Sequence, residues 1–361
     1  MFDRRSLLKG TGAATLLLNS HPDLLTTSAN ATIPSDRVWD AGLVRHLLPQ
    51  VSDSRLLIKT SFAQPLAEAP HLYVGGTRVR GQMSDTRGEF WQFHVTGLRP
   101  NRPYRLALST SRGRGLCQPW EISTFPAPDD RPNRFRVLFI SCVGGHEAMK
   151  FLSPSVRNRL LRRALSFQPQ AAVINGDHVY WDLLSPNTAK NYGQSQQALN
   201  IAGRFDRAGI VLGGDNETIL KKVVSPQLVS VYGTDFRSTP VFFLMDDHDY
   251  FDNDDAFDEI ITFPPSHFML QLGRAAQRLY YPEFLPDAAR PRGLAWSSMS
   301  DRPEATSECF GTIRYGRLAE VLLYDIRRTQ TLAGPSAVYI DPEAERWLMN
   351  RMKAKIGRAH V

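Results

Sequence analysis

Apolar and polar positions fall into two regimes along the chain. From about Val38 to Phe125 the apolar residues come as short runs or alternate with polar ones. Leu56-Leu57-Ile58, Leu72-Tyr73-Val74, Phe90-Trp91-Gln92-Phe93-His94-Val95 and Tyr104-Arg105-Leu106-Ala107-Leu108 are the clearest cases. Alternation sends successive side chains to opposite faces of an extended backbone. Short strands separated by Gly, Pro, Asn and Asp predict a small β-sandwich domain, placed at 35–126. Pro126-Ala127-Pro128-Asp129-Asp130-Arg131-Pro132 then interrupts any regular element and marks a boundary.

Beyond the boundary the period changes. Arg136-Val137-Leu138-Phe139-Ile140-Ser141, Ala171-Ala172-Val173-Ile174-Asn175, Val241-Phe242-Phe243-Leu244-Met245 and Ala319-Glu320-Val321-Leu322-Leu323-Tyr324 read as buried strands. Between the first two, Ser155 to Phe167 predicts an amphipathic helix. Val156, Leu160, Leu161, Ala164 and Leu165 lie on its apolar side, with Arg157, Arg159, Arg162 and Arg163 opposite. A last helix is expected to start at Asp341-Pro342, with Asp as N-cap and Pro in the first position, and to run to about Lys355. Strands alternating with helices predict an α/β layered domain over 133–355.

Composition changes this picture little. With 361 residues, 42% hydrophobic and 22% charged, the chain falls in the soluble globular class rather than the disordered or membrane-spanning ones. The formal charge of +7 could steer anionic substrates, but the Arg residues are scattered and no Lys/Arg run makes a nucleic-acid patch. The amino terminus does add something. Arg4-Arg5-Ser6-Leu7-Leu8-Lys9, a weakly apolar Gly10–Leu18 and Ala29-Asn30-Ala31 predict a twin-arginine signal peptide over 1–31. It is too short to form a stable membrane span. Its loss would leave 40 basic and 34 acidic residues, or +6. The expected partner is the twin-arginine export machinery, and the expected location periplasmic or extracellular. Three cysteines are an odd number. If Cys117 and Cys309 paired, Cys142 would be left over, either as a buried thiol or as a metal ligand.

The candidate chemistry sits at strand ends. One apolar strand ends in Ser141-Cys142, a second in Gly176-Asp177-His178-Val179-Tyr180, a third in Asp246-Asp247-His248-Asp249. In α/β sheets ligands gather outside the carboxyl ends of the strands, so each tip delivers a metal-capable group to one mouth. Gly-Asp after a strand also makes an ordinary turn. Three carboxylates and an imidazole after an apolar run are harder to place without a cation to neutralise them, although a solvated acidic loop would do so. Asp252, Asn253, Asp254 and Asp255 extend the oxygen-rich stretch and could serve calcium or cap a following helix. His146 and His178 lie beside the motifs, and Asp215-Asn216 reads as a turn after Gly213-Gly214.

These motifs, with Tyr324-Asp325-Ile326-Arg327 at a later strand end, resemble the alkaline phosphatase D (PhoD-like) family of metallophosphatases, relatives of the calcineurin-like phosphoesterases. Gly97-Leu98-Arg99-Pro100-Asn101-Arg102-Pro103-Tyr104 likewise resembles the tyrosine corner of fibronectin type III domains, where a Tyr hydroxyl bonds back to the backbone. The resemblance implies a metallophosphoesterase-type layered α/β sandwich preceded by a fibronectin type III-like β-sandwich domain. It also implies a cofactor of ferric iron (Fe3+) with calcium (Ca2+), acting on a small or polymeric phosphoester. Cys142 and Tyr180 would bind iron, since thiolate and phenolate suit Fe3+. Asp177 would bridge, and Asp246 and Asp247 would sit on or beside the neighbouring metal. His248 would face the substrate, Asp249 would fix its tautomer, and Arg327 would either fork onto the phosphate or form a strand-end salt bridge.

Two rival readings go with this one. The first is a phospholipase D-like or teichoic-acid phosphodiesterase of the same fold. The second is a non-catalytic calcium-bound surface module, for which Cys142 and Tyr180 would have no use. Ile356-Gly357-Arg358-Ala359-His360-Val361 matches one reading frame of a sequencing-adapter oligonucleotide, so 356–361 is expected to be artefactual and the metallophosphatase domain incomplete.

Overall fold

The computed structural model describes residues 39–149, 151–181, 201–250, 265–286, 302–303, 305–331 and 335–356. The twin-arginine leader, the oxygen-rich stretch 252–255 and the terminal residues 357–361 lie outside them. The architecture is mixed α/β with several sheets. No helix among the described residues is long and apolar enough to cross a membrane.

The first part carries two four-stranded antiparallel sheets. One has the order β1 (Val44–Val51), β2 (Leu56–Phe62), β6 (Phe90–Val95), β5 (Gln82–Met83); the other has β4 (Thr77–Arg80), β3 (His71–Val74), β7 (Pro103–Ser109), β8 (Trp120–Ser123). Four of these strands answer the alternating runs of the sequence. The Tyr104 hydroxyl accepts the Arg99 backbone N–H at 2.7 Å, the bond back to the chain that the motif predicts. Strand β1 was not foreseen, because His46 and Gln50 interrupt its apolar pattern. Both are fully buried. The Gln50 amide donates to the Glu283 carbonyl at 2.8 Å, and His46 Nε2 meets the Tyr280 carbonyl at 2.5 Å. This sheet is therefore covered on both faces, and its polar inward residues bond the neighbouring layer rather than water.

The second part centres on three parallel strands in the order β11 (Val241–Leu244), β10 (Ala171–Asn175), β9 (Val137–Ile140). Helix α1 (Pro154–Leu165) and helix α2 (Asp215–Tyr232) pack on this layer. Central β10 is buried through Ile174, as its unbroken apolar run requires. Edge strand β9 is not the buried strand expected, and Phe139 is 59% exposed. The expected fourth strand, β13 (Ala319–Tyr324), does not join this sheet. It pairs antiparallel with β12 (Phe310–Tyr315) as a separate hairpin.

Helix α1 also departs from its pattern, since Leu160 is 60% exposed while Arg157 is buried. The Arg157 guanidinium donates to the Val143 and Gly144 carbonyls at 2.7 and 2.8 Å, and that use outweighs solvation. Two further helices are short α3 (Asp247–Tyr250) and amphipathic α4 (His267–Tyr280). The last helix, α5 (Pro342–Ile356), begins as expected, with Asp341 Oδ1 accepting the Glu343 and Ala344 N–H groups at 2.9 and 3.1 Å.

The sheets and the α/β layer form one compact unit from Asp40 to Val361. A buried ionic seam joins them. Lys59 on β2 bonds Glu283 at 3.1 Å, Arg302 bridges Glu283 and Glu308, and Arg274 and Arg328 close on Glu308. Burial lowers the Lys59 pKa to about 8. Burial alone would raise that of Glu308, but bonds from Arg274 and the charges of Arg328 and Arg302 outweigh it and bring it to about 2.

Candidate metal centre

Because β9, β10 and β11 run parallel and side by side, their carboxyl ends open on one edge. There Ser141-Cys142, Gly176-Asp177 and Met245-Asp246-Asp247 emerge as neighbours. Two of the site residues have left-handed backbone, Cys142 with φ +56° and Asp177 with φ +58°. Such conformations cost non-glycine residues about 1–2 kcal/mol and persist where surrounding bonds over-determine them. Here Cys142 N–H donates to the Gly176 carbonyl at 3.2 Å and Gly144 N–H to the Asp177 carbonyl at 2.8 Å. Gly176, at φ +80°, permits the close approach, because a Cβ there would lie 2.3 Å from that of Asp246.

Asp177 is the hub. Its Oδ2 accepts the Cys142 thiol at 3.0 Å and the Tyr180 hydroxyl at 3.2 Å. Its Oδ1 is buried and has no hydrogen-bond partner among the described residues. One ligand atom from each of Asp177, Asp246 and Asp247 lies within 4.8 Å of the others, a group able to hold a metal ion. The His248 ring lies over the Tyr180 ring, with centroids 4.0 Å apart. The structure thus gathers Cys142, Asp177, Tyr180, Asp246, Asp247 and His248 as their strand positions predict.

Without a cation this group disfavours its own negative charge. Burial, then the Asp246 charge, raises the Asp247 pKa. Partial desolvation, with the bond and charge of Asp177, outweighs the Ser141 bond and raises the exposed Cys142 thiol, and burial with Asp177 and Cys142 raises Tyr180. A bound metal ion would reverse all three. The unpartnered Asp177 oxygen and the thiolate–phenolate–carboxylate donor set fit such an ion.

One expected role changes and one alternative is decided. Asp249 does not act on the His248 ring through its carboxylate, because both oxygens are occupied by backbone. Oδ1 accepts His178 N–H at 2.9 Å and Val179 N–H at 3.0 Å, while Oδ2 accepts Asp177 N–H and Asp246 N–H, each at 2.9 Å. Burial raises its pKa well above the usual carboxylate range, against the pull of those N–H groups. Arg327 takes the second of its two expected roles. Its Nε is hydrogen-bonded to Asp246 Oδ1 and its guanidinium lies 3.9 Å from Asp247, so it braces the acidic pair. His178 turns inward, fully buried against Phe243 and Tyr281, with burial bringing its pKa to about 4. Half-buried His146 receives the Ala148 N–H at 3.2 Å. Asp215-Asn216 opens α2, where Asn216 bonds the Asp206 backbone.

Sequence reasoning missed two residues that shape the site. Buried Gln227 of α2 accepts Gly145 N–H and Tyr180 N–H at 2.7 and 2.8 Å and donates to the Tyr180 carbonyl at 3.0 Å. Arg157 holds the Cys142 loop from the other side. A glutamine within a helix carries no local signal of this kind. Arg157 reads as one of four arginines on the polar side of its helix, so the pattern gives no sign that it turns inward. None of the three cysteines is in a disulfide, and Cys142 is exposed while Cys309 is buried.

No protein-family model matches the sequence, and no curated protein is similar to it in sequence. Among solved structures the chain is similar to PhoD, with a TM-score of 0.53 and 16% identity over 87% of this chain. The fold is PhoD-like. The chain spans 61% of the length of that structure. Two weaker likenesses carry no argument. They are to the type III pullulan hydrolase from Thermococcus kodakarensis (TM-score 0.16, 11% identity, 55% of this chain and 39% of that one) and to the β-glucuronidase of Ruminococcus gnavus (0.23, 10%, 65% and 40%).

Proposed function

We propose that the chain is a metal-dependent phosphoester hydrolase of the PhoD-like kind. One observation carries the reading: three adjacent parallel strands deliver Cys142, Asp177 and the Asp246-Asp247 pair to one edge, where Asp177 keeps an oxygen with no hydrogen-bond partner among the described residues. Cys142, Tyr180 and Asp177 would hold iron, and Asp177 with Asp246 and Asp247 would hold calcium. Metal ions there supply charge neutralisation for the phosphoryl group and activation of water.

The protein's own residues do the rest. His248, whose ring lies tilted against Tyr180, would donate a proton to a phosphoryl oxygen or to the departing oxygen. Asp249 fixes the loops that carry Asp177 and Asp246, and Arg327 holds the acidic pair apart from mutual repulsion. Within this reading the double antiparallel sheet is a fibronectin type III-like domain. Export by the twin-arginine pathway would place the protein in the periplasm or outside the cell, loaded with metal before it leaves.

The test is a hydrolysis screen on 4-nitrophenyl phosphate and bis(4-nitrophenyl) phosphate with protein reconstituted in iron and calcium. Turnover of either, lowered in His248→Ala at unchanged metal content, supports the reading. No turnover of either ester by metal-loaded protein refutes it.

A further inference from the structure

The thiol side of the centre borders a second space. A cavity of about 350 Å3 lies between the loop after β9 and helix α1, lined almost wholly by apolar side chains. Its volume falls in the range of small-molecule sites, about 300–1,000 Å3. Cys142 forms part of its wall, and the same thiol is 3.0 Å from Asp177 Oδ2. Phe151 forms another part, and its ring packs on Tyr180 at 4.8 Å. The cavity therefore borders the centre, with the Cys142 thiol common to both.

The residues at its margin are unusually apolar for their exposure, with Leu152 at 58% and Leu160 at 60%. Arg157, also on its wall, turns its guanidinium to the Val143 and Gly144 carbonyls. A molecule with its charged end at Asp177 would leave its uncharged part against Phe151, Leu152 and Leu160. Clustered exposed apolar residues of this kind mark binding surfaces.

We infer that this cavity receives an apolar ester arm, alkyl or aryl, and that the preferred substrates are phosphoesters carrying such an arm. The inference rests on the phosphoesterase reading and adds its specificity. Leu152 and Leu160 are the specificity-determining residues, and the cavity distinguishes arms by length and polarity rather than by hydrogen bonding.

Calorimetric titration of the metal-reconstituted full chain with methylphosphonate and with octylphosphonate, below its aggregation threshold, tests this apart from turnover. Octylphosphonate should bind at least roughly tenfold more tightly, as burial of several CH2 groups implies. That ratio should shrink in Leu160→Asn and in Leu152→Asn, exposed positions where a polar side chain is compatible with folding. Equal affinity for the two phosphonates, or a ratio unchanged in both variants, overturns the inference and leaves the phosphoesterase reading standing. Failure of both phosphonates to bind overturns the two together.

Discussion

Asp249→Asn is the sharpest single perturbation the structure offers. The carboxylate is 1% exposed and accepts four backbone N–H groups at 2.9–3.0 Å, from Asp177, His178, Val179 and Asp246. An amide of the same shape keeps one oxygen and replaces the other with an NH2 group that cannot accept. At least two N–H donors then lose their acceptor and face another donor. A buried unsatisfied donor costs about 1–3 kcal/mol, so the loss is about 2–6 kcal/mol before relaxation. Those donors belong to both loops of the metal centre, so the damage is local as well as global. Urea unfolding of wild type and variant, followed by tryptophan fluorescence, reads the stability loss, and metal content after dialysis reads the loops. A lower midpoint together with weaker metal retention is expected. An unchanged midpoint with full metal retention would refute the assignment of Asp249 as the staple between the β10 and β11 loops.

Gln227→Leu removes two acceptor contacts and one donor contact to the Gly145 and Tyr180 backbone, and should cost about 2–4 kcal/mol in unfolding by urea. Cys142→Ser should lower bound iron far more than bound calcium in elemental analysis, since a neutral hydroxyl replaces an anionic thiolate at the iron side. Acid should weaken the fold through buried His46, whose pKa burial lowers from 6.5 to about 4. The folded state then refuses a proton that the unfolded state accepts, so stability falls as pH drops from about 6.5 to 4, by up to about 3 kcal/mol at 1.36 kcal/mol per unit. The difference between urea midpoints at pH 7.5 and pH 4.5 should narrow in His46→Gln.

Much of the centre was legible because its logic is local. An apolar run followed at once by Cys, Asp or Asp-Asp-His-Asp states both a strand and what stands at its tip, and parallel pairing of β9, β10 and β11 brings the tips together. The last helix was legible for the same reason, as Asp341-Pro342 encodes its own start. What was not legible depends on partners distant in the chain. Strand β1 hides behind His46 and Gln50, whose bonds lie more than 230 residues away. Helix α2 is buried over too wide an arc to show a narrow stripe, and Pro226 interrupts it. Asp249 beside His248 suggests a carboxylate–imidazole pair, but the short helix α3 turns that carboxylate to the backbone instead. Arg157 defeats the binary pattern because two carbonyls of the thiol loop outweigh water as its partners.

The central claim is that the carboxylates at the parallel strand tips hold the metal that hydrolyses the ester. It is tested most directly by measuring bound metal per chain and bis(4-nitrophenyl) phosphate turnover on the same samples of wild type and Asp177→Asn. The account predicts that the variant loses both together, because Asp177 links Cys142, Tyr180 and the Asp246-Asp247 pair. A variant that keeps wild-type turnover, or wild-type protein whose turnover survives complete removal of metal, would contradict it.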